Sequence, residues 1–341
     1  VEGMMRHGIG VDVIYGGQKL PNVTIDADSI HYLSPIRATD NSYETIHDAN
    51  GQPLDKPFQD QRCREILKIF DELSPDIILT EAYPFGRRMV RHELQALLDA
   101  SQIRSPRPLV VSSVRDILQE RRKARRIEET CTIIDRYFDR ILVHSDPEII
   151  KLDATFPLAD QIRDKIGYTG FVVPQPTEEQ SVKTYDVLVS AGGGAFGGEL
   201  MSVAMDAAHQ RPDLNWCLSC GPNLPQAEFE QLLESCPSHV QLVRYLPNLS
   251  QHMKQAGVSI SQCGYNTAMD ALSAHGASGC RAIFVPYDTL GQSEQLRRAQ
   301  LLEDAGYGVC VPQSVLTPQA LLDAMDRAKN LPTVNHDIDF D

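Results

Sequence analysis

The run Gly264-Tyr265-Asn266-Thr267 follows an apolar stretch, VSISQ, and opens a helical pattern with a glycine where a capping side chain would stand. Such a start leaves backbone N–H groups without partners at the positive end of the helix dipole, and an anion such as phosphate satisfies them. Asp270 stands four residues after Asn266, about one turn into the helix, where a carboxylate reaches ribose hydroxyls while the helix start holds phosphate. After the strand-ending Pro286, Glu294-Gln295 opens another helix. An adjacent acid and amide accept from and donate to vicinal hydroxyls, as a sugar ring requires. Taken singly, Asp270 and Glu294 fit solvated helix residues. Together they map a nucleotide sugar.

A second loop has the look of a phosphate cradle. In SAGGGAFGGEL, residues 190–200, Gly192, Gly194 and Gly197 fit G-x-G-x-x-G, with Gly193 between the first two. The dinucleotide fingerprint also expects an acid at the end of the next strand to hold the ribose. Here that strand ends Trp216-Cys217-Leu218-Ser219-Cys220-Gly221, without an acid, which argues against a dehydrogenase. The bare glycine turn reads equally well as a tight bend or as a ligand loop.

These residues need a scaffold, and the pattern supplies one. At 341 residues two domains are expected. The first half alternates VDVIYGG and SIHYLSP, a polar excursion ATDNSYETIHDANGQPLDKP read as a long loop, helical CREILKIFDEL, the strand DIILTE, helical RRMVRHELQALLDA, the strand PLVVSSV, a long helix from Asp116 to Phe138, and the strand RILVHSD. Pro174, Pro176 and the polar run to Lys183 form the linker, so the expected domains are residues 1–173 and 174–341. The second half alternates again, from YDVLVSA to PQALLDAMDRAK. Apolar strands bounded by helices predict an α/β fold of two doubly wound, Rossmann-like domains with parallel sheets. Ligands then bind outside the carboxyl ends of the strands, at the loops 190–198, 262–266 and 286–294. The chain opens as though in mid-helix, which predicts an amino-terminal domain lacking its first strand.

Composition narrows the partners. A net charge of −14 argues against nucleic acid. No apolar run approaches the ~18 residues of a membrane span. The basic run Arg121 to Arg126 reads first as a solvated helix face, with peripheral contact to anionic lipid as the second reading. Eight scattered cysteines without a framework suggest free thiols in a reducing, cytoplasmic setting. Cys217 and Cys220 have C-x-x-C spacing without a second pair and read as buried thiols.

The strings ISQCGYNTAMDAL, FVPYDTLGQSEQLRRAQLLEDAGYG and SAGGGAFGGEL resemble the carboxyl-terminal domain of MurG-like glycosyltransferases of family 28, which have the two-domain GT-B fold. TEAYPFGRRMVRHELQALLDA, SSVRDIL, RYFDRILVHSDP and YTGFV resemble a group of predicted glycosyltransferases. The resemblance implies that Gly192–Gly194 and Gly264–Thr267 cradle a diphosphate. It further implies that Asp270, where the family has a glutamate, holds the ribose, and that Glu294 and Gln295 contact the donor sugar. The glycine-rich loop with its histidine that the family carries before its first helix is missing, and His7 does not replace it. The implied reaction moves a sugar, with inversion, from a nucleoside-diphosphate donor such as a UDP-linked hexose or N-acetylhexosamine to an acceptor hydroxyl. The alternatives are a nucleotide-sugar epimerase or hydrolase of the same fold, or a binding protein without catalysis.

For the acceptor side the sequence offers candidates. Glu81 follows the strand DIILT, where a carboxylate takes the acceptor proton or makes a structural salt bridge, and Arg87 and Arg88 suit an anionic acceptor. Arg115-Asp116 and His144-Ser145-Asp146 hold equivalent rim positions. Asp26-Ala27-Asp28 is a short match to a metal-binding D-x-D. A GT-B enzyme stabilises its leaving diphosphate with helix N-termini instead, so no metal and no cofactor is expected.

Overall fold

The computed structural model describes all residues except 20–24, 39–45, 119–123, 174–182, 192–196, 289–293, 333–335 and 341. By its contacts the chain forms two compact units, Val1–Ser113 with Thr130–Ile141, and Val114–Glu129 with Leu142–Asp341. The expected linker, from Pro174 on, lies outside the described residues up to position 182.

The first elements in chain order are α1 (Glu2–Arg6), β1 (Asp12–Gly17), β2 (Ser29–Ala38), β3 (Ile46–Asp48), α2 (Lys56–Leu73), β4 (Ile77–Glu81), α3 (Arg91–Ile103), β5 (Leu109–Arg115), α4 (Ala124–Tyr137), β6 (Arg140–His144) and β7 (Ile166–Tyr168). The sheet orders are β1-β2-β3 and β4-β5-β6-β7. β1 pairs in parallel with β2, and β4 with β5. Two expectations are corrected. The polar excursion is not all loop, because Ile46–Asp48 turns back and pairs antiparallel with Ile36–Ala38. The long helix does not begin at Asp116: residues 116–118 are not helical, α4 is described from Ala124, and the Asp116 carboxylate is occupied by the Ile117 N–H and by Arg298.

In the first unit, α2 starts where the Asp55 carboxylate accepts the Phe58 N–H at 2.9 Å, with a proline in its first turn. Its inner face sets Ile66, Ile69 and Phe70 against Leu33, Ile78 and Leu97. The same face carries one charge. Arg62 makes a two-pronged bond to Glu93 of α3, both contacts at 2.6 Å, and also donates to the carbonyls of Gly16 and Ser34. One guanidinium thus joins β1, β2, α2 and α3.

The second unit continues with β8 (Tyr185–Ser190), α5 (Gly198–Gln210), β9 (Trp216–Ser219), α6 (Gln226–Glu234), β10 (Val240–Val243), α7 (Leu249–Lys254), β11 (Ala256–Ser261), α8 (Tyr265–Ser278), β12 (Arg281–Phe284), α9 (Glu294–Asp304), β13 (Val309–Cys310) and α10 (Pro318–Lys329). Its sheet runs β10-β9-β8-β11-β12-β13, and every pairing is parallel. Alternate residues serve opposite faces. Val187, Val189, Leu218, Ile260 and Ile283 pack on α5 and α10, while Leu188, Cys217, Ala282 and Phe284 pack on α7, α8 and α9. Both faces are buried, as the continuous apolar strands predict.

Residues 142–173 are held within this unit by its last residues. Asp146 accepts from His336 at 2.6 Å and from the Asp339 N–H at 3.0 Å, and the Phe171 N–H donates to the Asp339 carbonyl at 2.7 Å.

Replacing one partner of a buried ion pair strands the other charge, which costs about 3–5 kcal/mol. Glu93→Ala is expected to destabilise the first unit by that amount in urea unfolding followed by circular dichroism. A loss below about 1 kcal/mol would show that Arg62 finds water or another acceptor once Glu93 is gone.

Candidate nucleotide-sugar site

The strand order of the second unit reverses between β8 and β11, the place where doubly wound sheets take ligands beyond the strands' carboxyl ends. Ser190 ends β8 and Ser261 ends β11. The two are register partners, and Ser219 at the end of β9 is the partner of Ser190 on its other side. All three are buried, and the hydroxyls of Ser190 and Ser261 have no hydrogen-bond partner among the described residues. Beyond them lie the two loops the sequence singles out. Gly192, Gly193 and Gly194 lie outside the described residues. Gly197, the third glycine of the pattern, is described: a Cβ there would stand 2.2 Å from the Ala191 Cβ, so the loop's two ends pack at glycine distance.

The other loop is fully described. Gly264 precedes α8 at φ −64°, ψ 152°, and no side chain caps the helix. By contrast Asp55 caps α2, and Thr317 caps α10. A Cβ built on Gly264 meets no atom of the described residues within 4 Å. The Tyr265 side chain turns inward, where its hydroxyl donates to the His144 carbonyl at 3.1 Å and accepts the Val172 N–H at 3.2 Å. What Tyr265 offers a ligand is therefore its backbone N–H. Asn266 is exposed and Thr267 half-buried.

Asp270 follows on α8, half-buried and without a hydrogen bond among the described residues. Burial pushes its carboxyl up to about 6, opposed by the Lys254 ammonium. Glu294 and Gln295 form the first turn of α9. The Gln295 Oε1 accepts the Tyr287 N–H at 3.2 Å, which fixes the amide and leaves its NH2 as the donor.

One residue the sequence reading did not single out connects these parts. Arg298 of α9 makes bonds of 2.6 and 2.8 Å to the two oxygens of Asp116, and its remaining nitrogen donates to the Cys263 carbonyl at 2.8 Å. Arg298 and Asp116 are both essentially inaccessible to solvent. Burial alone would lower the guanidinium's pKa, and the Asp116 carboxylate raises it instead. Its signal in the sequence was an arginine on the stripe that also carries Ala299 and Leu302, the buried side of α9.

The remaining candidates are placed as follows. Glu81 and Arg87, both exposed, pair with each other at 2.5 Å across a turn in which Ala82 and Arg87 have positive φ. Arg88 opens a short 3-10 turn, Arg88–Val90. Arg115 lies over the Tyr265 ring at 5.5 Å. Ser145 donates to the Ile150 carbonyl and holds its own turn, while Asp146 serves the Glu148 N–H nearby and His336 and the Asp339 N–H far along the chain. The Asp28 carboxylate accepts the Val11 N–H at 2.7 Å. All eight cysteines are free, and burial pushes the Cys217 and Cys220 thiols up to about 11. Of the basic run, Arg121 to Lys123 lie outside the described residues, while Arg125 and Arg126 are exposed on α4. No helix of the described residues is long and apolar enough to cross a membrane.

The whole fold is shared with glycosyltransferases of the GT-B class. The MurG structure of Acinetobacter baumannii superposes on 96% of this chain and 84% of its own, with a TM-score of 0.60 at 16% identity. Within that fold, residues 190–335 match the glycosyltransferase family 28 C-terminal domain. The chain is 24% identical over 178 residues to the UDP-N-acetylglucosamine--N-acetylmuramyl-(pentapeptide) pyrophosphoryl-undecaprenol N-acetylglucosamine transferase of Thermotoga neapolitana, covering 52% of this chain and 49% of that protein. It is 22% identical over 275 residues to an uncharacterized glycosyltransferase of Methanosarcina mazei, covering 76% and 66%. The chain thus spans between about half and two-thirds of the length of these curated relatives. Together the matches support a MurG-like GT-B glycosyltransferase.

The Asp270 carboxyl has a testable consequence. With a folded pKa near 6 against an ordinary 3.8, the folded chain holds this proton more tightly than the unfolded one. Ionising Asp270 therefore destabilises the fold progressively as pH rises from 3.8 to 6, and fully above that range. Asp270→Asn, which mimics the protonated form, is expected to raise the melting temperature over wild type at pH 8 and to leave it unchanged at pH 4. Equal shifts at both values in scanning fluorimetry would remove burial as the cause.

Proposed function

We propose that this chain is a glycosyltransferase that takes a nucleoside-diphosphate sugar, with a UDP-linked hexose or N-acetylhexosamine as the donor. The observation that carries the reading is the start of α8 at the sheet's reversal point, uncapped by any side chain of the described residues, with a carboxylate one turn in. Residues 174–341 form the donor-side domain, and the family match at 190–335 falls wholly inside it. The acceptor side is proposed for residues 1–173, of which 114–129 and 142–173 pack within the second unit.

In the proposed reaction an acceptor oxygen attacks the anomeric carbon as the bond from that carbon to the diphosphate oxygen breaks. The electron pair leaves on the diphosphate. Backbone N–H groups of residues 264–267 and 192–194 receive that growing charge, an arrangement that stabilises the transition state more than the bound donor. Asp270 accepts from the ribose hydroxyls, and Glu294 and the Gln295 amide read the sugar. The acceptor's proton passes to a carboxylate, for which Glu81 is the candidate, with Arg87 and Arg88 beside it for an anionic acceptor. The free thiols suit a reducing, cytoplasmic setting.

Paired calorimetric titrations with uridine diphosphate and with UDP-N-acetylglucosamine test this division of labour. Gly264→Val fits the fold, since its φ is ordinary and its Cβ meets no atom of the described residues, yet it is expected to abolish binding of both ligands. Asp270→Ala is expected to weaken both alike. Glu294→Ala and Gln295→Ala are each expected to weaken only the sugar-bearing ligand, by about 1–3 kcal/mol. Equal losses for the two ligands at Glu294 and Gln295 would withdraw the sugar-reading role. Tight NAD binding without a response to any nucleoside diphosphate would overturn the transferase reading.

A further inference from the structure

The geometry points to Arg298 as a positioning residue that sets both halves of the proposed donor site from beneath, an inference that rests on the donor-site reading above. Its Nη1 pins the Cys263 carbonyl at 2.8 Å. That carbonyl and the Gly264 N–H belong to one planar trans peptide, so they point in opposite directions. Holding the oxygen toward Arg298 therefore aims the Gly264 N–H away from the buried guanidinium. A charged donor on a carbonyl also polarises the peptide and strengthens the N–H at its other end. Arg298 thereby acts on an anion that it does not touch.

The other half of the site lies on the arginine's own helix. Glu294 and Gln295 precede Arg298 by four and three residues, about one helical turn. The fork from Nε and Nη2 onto Asp116 restrains the rotation of α9 about its axis, because a two-pronged, coplanar bond holds the guanidinium in one orientation and the buried side chain carries that restraint to the helix. Asp116 follows β5 directly, so the first turn of α9 is referred to a strand end and not to another loop. The pair is electrically neutral as a unit. Its effect on a ligand is thus one of orientation, and a lysine carrying the same charge without the fork does not reproduce it.

The test separates orientation from mere support. In the double variant R298M/D116L the buried pair is replaced by apolar side chains, an exchange that is often neutral or stabilising. Melting temperature, calorimetric binding of uridine diphosphate and of UDP-N-acetylglucosamine, and the amide nitrogen shift of Gly264 are measured for wild type, this variant and R298K. The expected result is a double variant that melts near wild type, shows a shifted Gly264 amide and binds uridine diphosphate about 10-fold more weakly. R298K, which keeps the charge opposite Asp116, is expected to fold and to bind about 3-fold more weakly or worse. It decides the matter should the double variant fail to fold. Wild-type affinity in a folded double variant, or in R298K, overturns the positioning role and leaves the donor-site reading standing. A wild-type protein that binds neither nucleotide overturns the donor-site reading and this role with it.

Discussion

A parallel strand cannot turn directly into its neighbour, and most of this chain follows from that constraint. Each connection must cross the sheet, and here helices make the crossings. The six parallel strands of the second unit therefore end along one rim, each followed by a loop that leads toward a helix. Helix starts gather at that rim, and their unpaired N–H groups come with them. Where the order reverses between β8 and β11, the flanking crossovers go to opposite faces and leave a gap above the strand ends. Ser190 and Ser261 sit at that gap with hydroxyls unsatisfied among the described residues, and Gly264 opens the helix beside it. A polar ligand site costs the least structure at such a place.

Each unit also buries a charge pair reinforced by backbone carbonyls. Arg62 with Glu93 and Arg298 with Asp116 share a plan: a two-pronged bond to a carboxylate, with the remaining nitrogen given to backbone carbonyls, of Gly16 and Ser34 in the one and of Cys263 in the other. Apolar residues would have filled either space at equal or lower free energy. What apolar side chains lack is direction. Leucine at position 62 would leave the carbonyls of Gly16 and Ser34 without the donor they now share. The two arginines fix angles where dispersion forces fix only distances.

Much of this was legible in the sequence. The strands and helices of the second half announce themselves because continuous apolar runs and the helical period differ plainly, and both sheet faces are buried. The Gly264 loop was legible because it breaks that pattern at a strand's end. The three-residue β3 was not, since so short a strand at a sheet edge has no pattern of its own and exists by pairing with β2. The Asp116 helix start was misread for a related reason. Aspartate is an ordinary helix opener, and nothing local reveals that its carboxylate is taken by an arginine 182 positions later. Pairings of that range belong to the fold and leave in the sequence only an arginine on an apolar stripe. Likewise nothing in the run Gly264–Thr267 reveals that the Tyr265 hydroxyl bolts it to residues 144 and 172.

Cys263 is the residue whose carbonyl Arg298 holds, and it stands immediately before Gly264. Its thiol is fully buried, and burial drives its pKa well above the usual thiol range. Thiolate is the reactive form, so the sulfur stays inert while the loop is closed. It becomes an ordinary thiol only when the backbone around Gly264 lifts. With eight free thiols in the chain, alkylation read at Cys263 itself, peptide by peptide, reports the exposure of this buried position without a label having to be introduced.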